Sequence, residues 1–372
     1  MSAPTRVAVI GAGDISDQYL TSLTGYPDLA VTAVADLVPE RARAQAEAYG
    51  IAGWGTTAEV LGRDDVDLVV NLTVPAAHAE VALAAIAAGK HVWGEKPFAL
   101  DRPSARAVLD AAAAAGVVVG NAPDTVLGPG VQTAHRLLAE GAVGAPRTVL
   151  TLMQGPGPDL WHPRPQFLFA KGAGPLFDIG PYYLATLVQL LGPITSVSAR
   201  GQIPRHERTI VSGPDAGTVF PVEVPTHVSV VTEFASGVVG TSVYSFDSPV
   251  RRQLFEITGA DGVLEVPVSG FDGPTRLLTD TTPDAPWQTR PAEGVPSDRG
   301  VGVLEMARAV RAGRPPRAGG ELAYHVLDVM LSIEESIGLG APVHVASTAP
   351  SVLPIPPHWD PAARTYDRTE QT

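Results

Sequence analysis

The sequence predicts an α/β protein with a doubly wound parallel sheet at the N-terminus and an α+β domain behind it, built on a largely antiparallel, open-faced sheet. Three observations predict this. Over the first 120 residues, short apolar runs alternate with helical segments of about ten residues, the pattern of a parallel sheet covered on both faces. A glycine-rich turn, Gly11-Ala12-Gly13, joins the first run to the first helix. Beyond residue 122 the period changes to two: in 226–234, Val228, Val230 and Phe234 alternate with His227, Ser229 and Glu233, as in a sheet with one differently covered face.

The elements follow in order. Residues 6–10 form a strand ending at Gly11, and 15–23 a helix. Residues 29–35 form a second strand, ending at Asp36. A helix over 39–49 starts on Pro39, whose missing N–H costs nothing in a first turn. Strands at 68–72, 91–94 and 117–120 alternate with helices at 78–88 and 104–115, stopped by Gly89 and Gly116. Right-handed crossovers make such a sheet doubly wound. Next come a helix at 131–140, a strand at 148–153, a Pro- and Gly-rich loop at 154–175, and a helix at 178–191 closed by Gly192-Pro193. Strands follow at 195–203, 226–234, 238–245, 253–258 and 262–266. Of two late helices, the second carries Leu322, Val326, Val329, Ile333 and Ile337 on one stripe.

Composition narrows the function. A chain of 372 residues has room for two or three domains. Its net charge of −13 argues against a nucleic-acid face or adsorption to an anionic membrane. The absence of cysteine excludes disulfides, a thiol nucleophile, zinc–thiolate sites and iron–sulfur clusters. No apolar stretch is long enough to span a bilayer and the N-terminus has no leader pattern, so a cytoplasmic protein is expected. No histidine pair has metal-ligand spacing supported by a carboxylate, so no metal is expected. Of 26 basic residues only Lys90, Lys96 and Lys171 are lysines. Arginine does not surrender its proton whereas a buried lysine does, so a lysine in a cleft stands out here.

The turn Gly11-Ala12-Gly13-Asp14-Ile15-Ser16 is a phosphate turn in its strand–helix context. Gly11 permits the tight bend, Gly13 allows a pyrophosphate close to the backbone, and Ser16 replaces the third glycine. The Asp14 carboxylate must point away from that anion. Asp36, at the end of the second strand, accepts from both ribose hydroxyls and repels a 2′-phosphate, which favours NAD over NADP. Arg41, further along the next helix, blurs that preference. The expected division is a dinucleotide-binding Rossmann domain over 1–122, a substrate-binding and oligomerisation domain over 123–345, and a Pro-rich tail over 346–372 that hugs the surface or frays.

Glu95-Lys96-Pro97 closes the strand at 91–94, where ligands bind in such sheets. The segments VAVIGAGDIS (7–16), VADLVPERA (34–42), NLTVPAAHAEVALAAIAAGKHVWGEKP (71–97) and GAGPLFDIGPYYLATL (172–187) resemble the Gfo/Idh/MocA family of NAD(P)-dependent sugar and polyol oxidoreductases. The resemblance implies that Lys96 is the catalytic lysine, with a cis bond to Pro97, and that Asp178 is the carboxylate of the second motif. Thr73, Pro75, His78 and Glu95 would lie on the cofactor side. Where the family usually has histidine four residues after that aspartate, this chain has Tyr182. As i and i+4 on a helix, Asp178 and Tyr182 would share one face; Tyr183 lies off it.

Oxidising a secondary alcohol needs a hydride acceptor and a base for the hydroxyl proton. Lys96 and Tyr182 compete for the second role, and Asp178 orients the substrate or holds the lysine. Trp161 and His162 either stack on a sugar ring and bind its hydroxyls or anchor a loop through a buried tryptophan; Asn121 and Asp124 are weaker substrate candidates. Three functions fit: an NAD-dependent sugar, glycoside or polyol oxidoreductase; a glycosidase that retains NAD and oxidises C3 transiently; and a non-catalytic NAD-binding regulator. The open sheet face predicts a homodimer or homotetramer.

Overall fold

The computed structural model describes residues 3–268, 270–280 and 282–366. In chain order the first unit runs β1 (Thr5–Ile10), α1 (Ser16–Leu23), β2 (Leu29–Ala35), α2 (Pro39–Ala48), β3 (Gly53–Gly55), α3 (Thr57–Leu61), β4 (Leu68–Asn71), α4 (His78–Ala87), β5 (His91–Gly94), α5 (Arg102–Ala115) and β6 (Val119–Asn121). The strand order is β3-β2-β1-β4-β5-β6, and every pair is parallel. This is the Rossmann order with its switch point between β1 and β4, where the loops carrying Gly11 and Thr73 leave the sheet. Val7, Ala8, Val9 and Ile10 are all fully buried, as a central strand covered on both faces requires.

The short β3 and α3 were not predicted. Gly53-Trp54-Gly55 has no apolar run to announce it, and α3 is held by a capping box between Thr56 and Glu59 rather than by periodicity.

The chain continues through α6 (Pro129–Ala139), β7 (Pro146–Gln154), α7 (Gly174–Asp178), α8 (Gly180–Leu191), β8 (Ile194–Gln202), β9 (Glu207–Thr209), β10 (Val219–Pro221), β11 (His227–Phe234), β12 (Val239–Ser245), β13 (Arg252–Gly259), β14 (Val263–Glu265), β15 (Thr275–Leu278) and β16 (Gln288–Arg290), with β9 and β10 pairing as a two-stranded sheet of their own. Then come α9 (Val301–Arg311), α10 (Gly320–Leu339) and β17 (Val343–His344). The nine-stranded sheet is ordered β16-β15-β14-β13-β7-β12-β11-β8-β17 and is antiparallel except where β7 meets β12. Along β11 the period of two holds: Val228, Val230 and Phe234 are buried while Val231 is exposed. Leu150 and Val239 share that exposed character on β7 and β12.

The compact units are discontinuous. The first holds residues 1–129, 293–324 and 352–372, the second 130–292 and 325–351. Helix α9 thus belongs to the nucleotide unit, and its Arg308 donates to buried Asp28 at 2.8 Å and to the carbonyls of Asp360 and Ala363. Thr365 donates to Asp28 through both its backbone N–H and its hydroxyl. Burial pushes the Asp28 carboxyl up, but the hydrogen bonds from Thr365 and Arg308 outweigh it and hold it below its ordinary value. Up to residue 366 the tail is held on this unit by these contacts; residues 367–372 lie outside the described residues. Among the described residues no helix is long and apolar enough to cross a membrane.

Candidate active site

The phosphate turn is built by one glycine that nothing else replaces. Gly11 has φ 106°, and a Cβ there would lie 2.6 Å from the carbonyl oxygen of Leu72. Around Gly13 there is open space, and Asp14 is exposed. Ser16 is buried, with its hydroxyl turned back to the Gly13 carbonyl at 2.6 Å, so it packs where the third glycine usually does. Ile15 takes the N-cap position of α1 with no side-chain cap, so no capping side chain competes with an anion at this helix end. The Asp36 carboxylate accepts from the backbone N–H groups of Ala12 at 2.8 Å and Val38 at 2.9 Å. Fixed from both sides, it keeps lone pairs for a ribose diol. These residues fit a dinucleotide. Arg41 stands exposed in the first turn of α2. Replacing Asp36 by alanine is expected to raise the kcat/KM ratio of NADP+ to NAD+ about tenfold or more, in steady-state assays with each cofactor.

His78 proves to be a staple between loops. It is 3% exposed, with Nδ1 2.7 Å from the Pro97 carbonyl and Nε2 2.9 Å from the Thr73 carbonyl. It ties the loop after β4 to the loop after β5 and so holds the Lys96-Pro97 segment. Thr73 donates its hydroxyl to Asn71 at 2.6 Å, and Pro75 is exposed in a short 3-10 turn. The Lys96–Pro97 bond is cis, and Lys96 is half-buried.

Glu95 belongs to a buried network. It accepts from the Tyr19 hydroxyl at 2.7 Å and from the Lys96 backbone N–H at 3.0 Å, and it lies 3.6 Å from the Arg299 guanidinium. Burial pushes the Tyr19 phenol well up, with the Glu95 charge adding to it. Arg299 has no sequence signal of its own, since its partner lies 204 positions earlier in the chain.

Asp124 and Asn121 are placed inside the nucleotide unit rather than on an exposed rim. Asn121 is 5% exposed and donates to the Ala122 carbonyl. Asp124 is fully buried and accepts from the Gly300 N–H at 2.6 Å, at the N-terminus of α9. Burial raises its carboxyl to about 6, against the lowering effects of Arg299 and the Gly300 N–H. A carboxyl whose folded pKa lies above its unfolded value contributes stability below the unfolded pKa and loses it as pH rises through the folded one. Wild-type stability relative to Asp124→Asn should therefore fall between about pH 4 and about pH 6 and stay flat above, as read by urea unfolding across that range.

The second unit carries a cavity of about 500 Å³, a size that suits a small ligand. Asp178, Trp161, Phe246, Arg251 and Arg252 are among its walls. Trp161 is 60% exposed, which excludes the buried-anchor reading and leaves its indole available for stacking. His162 packs edge-on between Trp161 and Phe167, at 5.5 and 5.4 Å between ring centroids. Tyr183 is a core residue, its hydroxyl donating to the Leu152 carbonyl.

Asp178 and Tyr182 do not lie on one continuous helix. Helix α7 ends at Asp178, and α8 starts afresh at Gly180 with Pro181 in its first turn. Pro181 lacks the N–H that an unbroken helix would use, and the Tyr182 N–H bonds to Ile179 instead. The hydrogen-bond ladder is interrupted there, but Ile179 keeps a right-handed helical backbone, and both residues sit at the same junction, half-buried.

One residue shapes the cavity and was missed. Arg208 on β9, 3% exposed, donates to the Pro156 carbonyl at 3.1 Å and to Asp159 at 3.0 Å on one lip, and to the Phe246 carbonyl at 2.9 Å and Asp247 at 2.7 Å on the other. Gly157 sits against it with φ 107°, where a Cβ would come 2.8 Å from the guanidinium. The carboxylates that Arg208 pairs with are 49 and 39 positions away, so no local pattern reveals the clamp.

Comparison with known proteins gives a consistent result. Residues 5–122 match a family model described as an oxidoreductase family with an NAD-binding Rossmann fold, and residues 131–265 match the GFO/IDH/MocA C-terminal domain. A dTDP-3,4-didehydro-2,6-dideoxy-alpha-D-glucose 3-reductase of Actinomadura kijaniata is 32% identical over 55% of this chain, and the match spans 61% of that reductase, less than two thirds of its length. D-apiose dehydrogenase of Paraburkholderia graminis is 26% identical over 84% of this chain and 82% of its own. A levoglucosan dehydrogenase solved in complex with NADH and L-sorbose shares the fold, with a TM-score of 0.79 at 22% identity over 94% of this chain and all of that one. The two family models together cover more than half of the sequence, and the chain belongs to the GFO/IDH/MocA family of oxidoreductases, with an NAD-binding Rossmann domain and the family's C-terminal domain.

Proposed function

We propose that this chain transfers a hydride between NAD and a secondary hydroxyl or ketone of a sugar, glycoside or cyclic polyol. The observation that carries this reading is a sugar-sized cavity in the C-terminal domain, walled by Asp178 and an exposed Trp161, in a chain whose other domain is an NAD-binding Rossmann fold. The 3-reductase and the D-apiose dehydrogenase that share its sequence are named for reducing or oxidising sugars. When bound, NAD supplies the hydride acceptor. The protein must supply a base for the hydroxyl proton, and Lys96 and Tyr182 are the two candidates. Asp178 orients the substrate hydroxyl, and the Trp161 indole stacks on the C–H face of the ring. A panel of sugars, inositols and glycosides, each with NAD+ and NADP+, tests the reading at the NADH absorbance band. Net NADH formation with at least one sugar or polyol supports it. Glycoside cleavage without net NADH, or no turnover at all, overturns it.

We also propose that copies of the chain pair through the open face of the nine-stranded sheet, where Leu150, Val231 and Val239 stand exposed on neighbouring strands. Sedimentation analysis checks this, with Val231→Glu expected to shift the protein towards monomer.

A further inference from the structure

We infer that the cavity of the second unit selects a carbohydrate bearing an acidic group, a carboxylate or a phosphate, through Arg251 and Arg252. This rests on the reading of the chain as a sugar oxidoreductase and names the substrate class for it.

The inference starts from charge. The chain carries a net charge of −13, so a cation here has carboxylates in ample supply. Around the cavity that supply is used: Arg208 takes Asp159 and Asp247, and Arg205 approaches Asp247 at 3.4 Å. Asp247 is further engaged by the Thr226 hydroxyl at 2.5 Å. Arg251 and Arg252 are different. Both line the cavity, both are exposed, and neither guanidinium has a hydrogen-bond or ion-pair partner among the described residues. They sit where β13 begins, and the backbone of Arg252 pairs with Gln154 of β7. The Arg251 side chain crosses the loop at Gly155, where a Cβ would touch its Cγ at 3.8 Å.

The walls therefore divide by chemistry. Trp161, Pro156, Pro158 and Phe246 offer an apolar surface for the C–H face of a sugar ring. Asp178 offers one carboxylate, suited to a hydroxyl. Arg251 and Arg252 offer two forked sets of N–H donors, the geometry that holds carboxylate or phosphate in bidentate pairs. A neutral sugar would leave both cations unmatched, whereas an acidic one takes up the positive charge that the protein itself leaves unneutralised.

The test compares matched substrates: D-glucose with D-glucuronate, glucose 6-phosphate and dTDP-glucose, assayed with NAD+ for turnover and by titration calorimetry on the NADH-saturated protein for binding. The carboxylate, phosphomonoester and diphosphate arms distinguish the source of the acidic group. The expected result is that at least one acidic compound binds and reacts with a kcat/KM about tenfold or more above the neutral sugar. The preference should shrink as salt rises. Arg251→Gln and Arg252→Gln should each cut the ratio of acidic to neutral kcat/KM about tenfold, mainly through KM. An equal or better kcat/KM for the neutral sugar, or a ratio indifferent to both substitutions, overturns the inference. Binding of the acidic compounds with the same arginine dependence, but no turnover of any compound, upholds the anion site and overturns the oxidoreductase reading instead.

Discussion

Replacing Lys96 by alanine is expected to lower turnover about 10²–10⁴-fold, the usual contribution of a well-placed acid–base group, and to leave NADH binding within about twofold. Cofactor contacts are expected at the Gly11 turn and Asp36, which the substitution does not touch. The backbone around residue 96 also stays in place, because His78 grips the Pro97 carbonyl and Glu95 accepts the residue-96 N–H. Steady-state kinetics and NADH fluorescence titration of the same preparation separate the two effects. Tyr182→Phe is the companion variant. If it loses the larger factor while Lys96→Ala keeps a tenth or more of the activity, the phenol moves the proton and the lysine does not. A parallel loss of NADH binding in Lys96→Ala would assign the lysine to the cofactor instead.

Arg208→Met destabilises the protein by about 3–5 kcal/mol, the scale for removing one partner from a buried ion pair and leaving the other charged. Its side chain is 1% exposed, and those of Asp159 and Asp247 are 4% and 12% exposed, so solvent does little to compensate the two carboxylates, of which Asp247 keeps only Arg205 at 3.4 Å and the Thr226 hydroxyl. The substitution also releases two backbone carbonyls that define the lips of the cavity, so the surviving folded fraction shows a raised KM. Arg208→Lys recovers less than half of the lost stability, because an ammonium on a flexible stem cannot serve both lips at once as the planar fork does. Urea unfolding measures the first effect and substrate titration the second. A change of less than about 1 kcal/mol in Arg208→Met would show that the clamp does not hold the cavity.

Much of the first sheet was legible because each element carries a local signal. The run 29–35 ends as a strand where Asp36 begins a turn, and Gly116 stops α5 in the left-handed conformation. The Gly11 turn was legible for the same reason: its chemistry lies within six consecutive residues. What escaped was set by distance or by a competing local rule. The Arg208 clamp and the Arg299–Glu95 pair join residues tens to hundreds of positions apart, which no window of sequence contains. The helix expected over 178–191 is apolar enough to be continuous, but Gly180-Pro181 breaks it between the two residues whose alignment mattered. The exposure of Trp161 was likewise not readable, since a Pro-rich loop is compatible with an indole turned in or out.

The way Asp28 is neutralised has a consequence for biosynthesis. This carboxylate lies just ahead of the second strand, yet its partners are Arg308 and Thr365. They follow it in the chain by 280 and 337 positions, so a ribosome delivers them late. Until then the nascent nucleotide-binding half lacks the guanidinium and the C-terminal segment that pair with this acid, and its final consolidation must wait for translation of almost the whole polypeptide. Fragments cut near residue 130 inherit the same deficit, so severing the halves yields a weakened first half rather than an autonomous module.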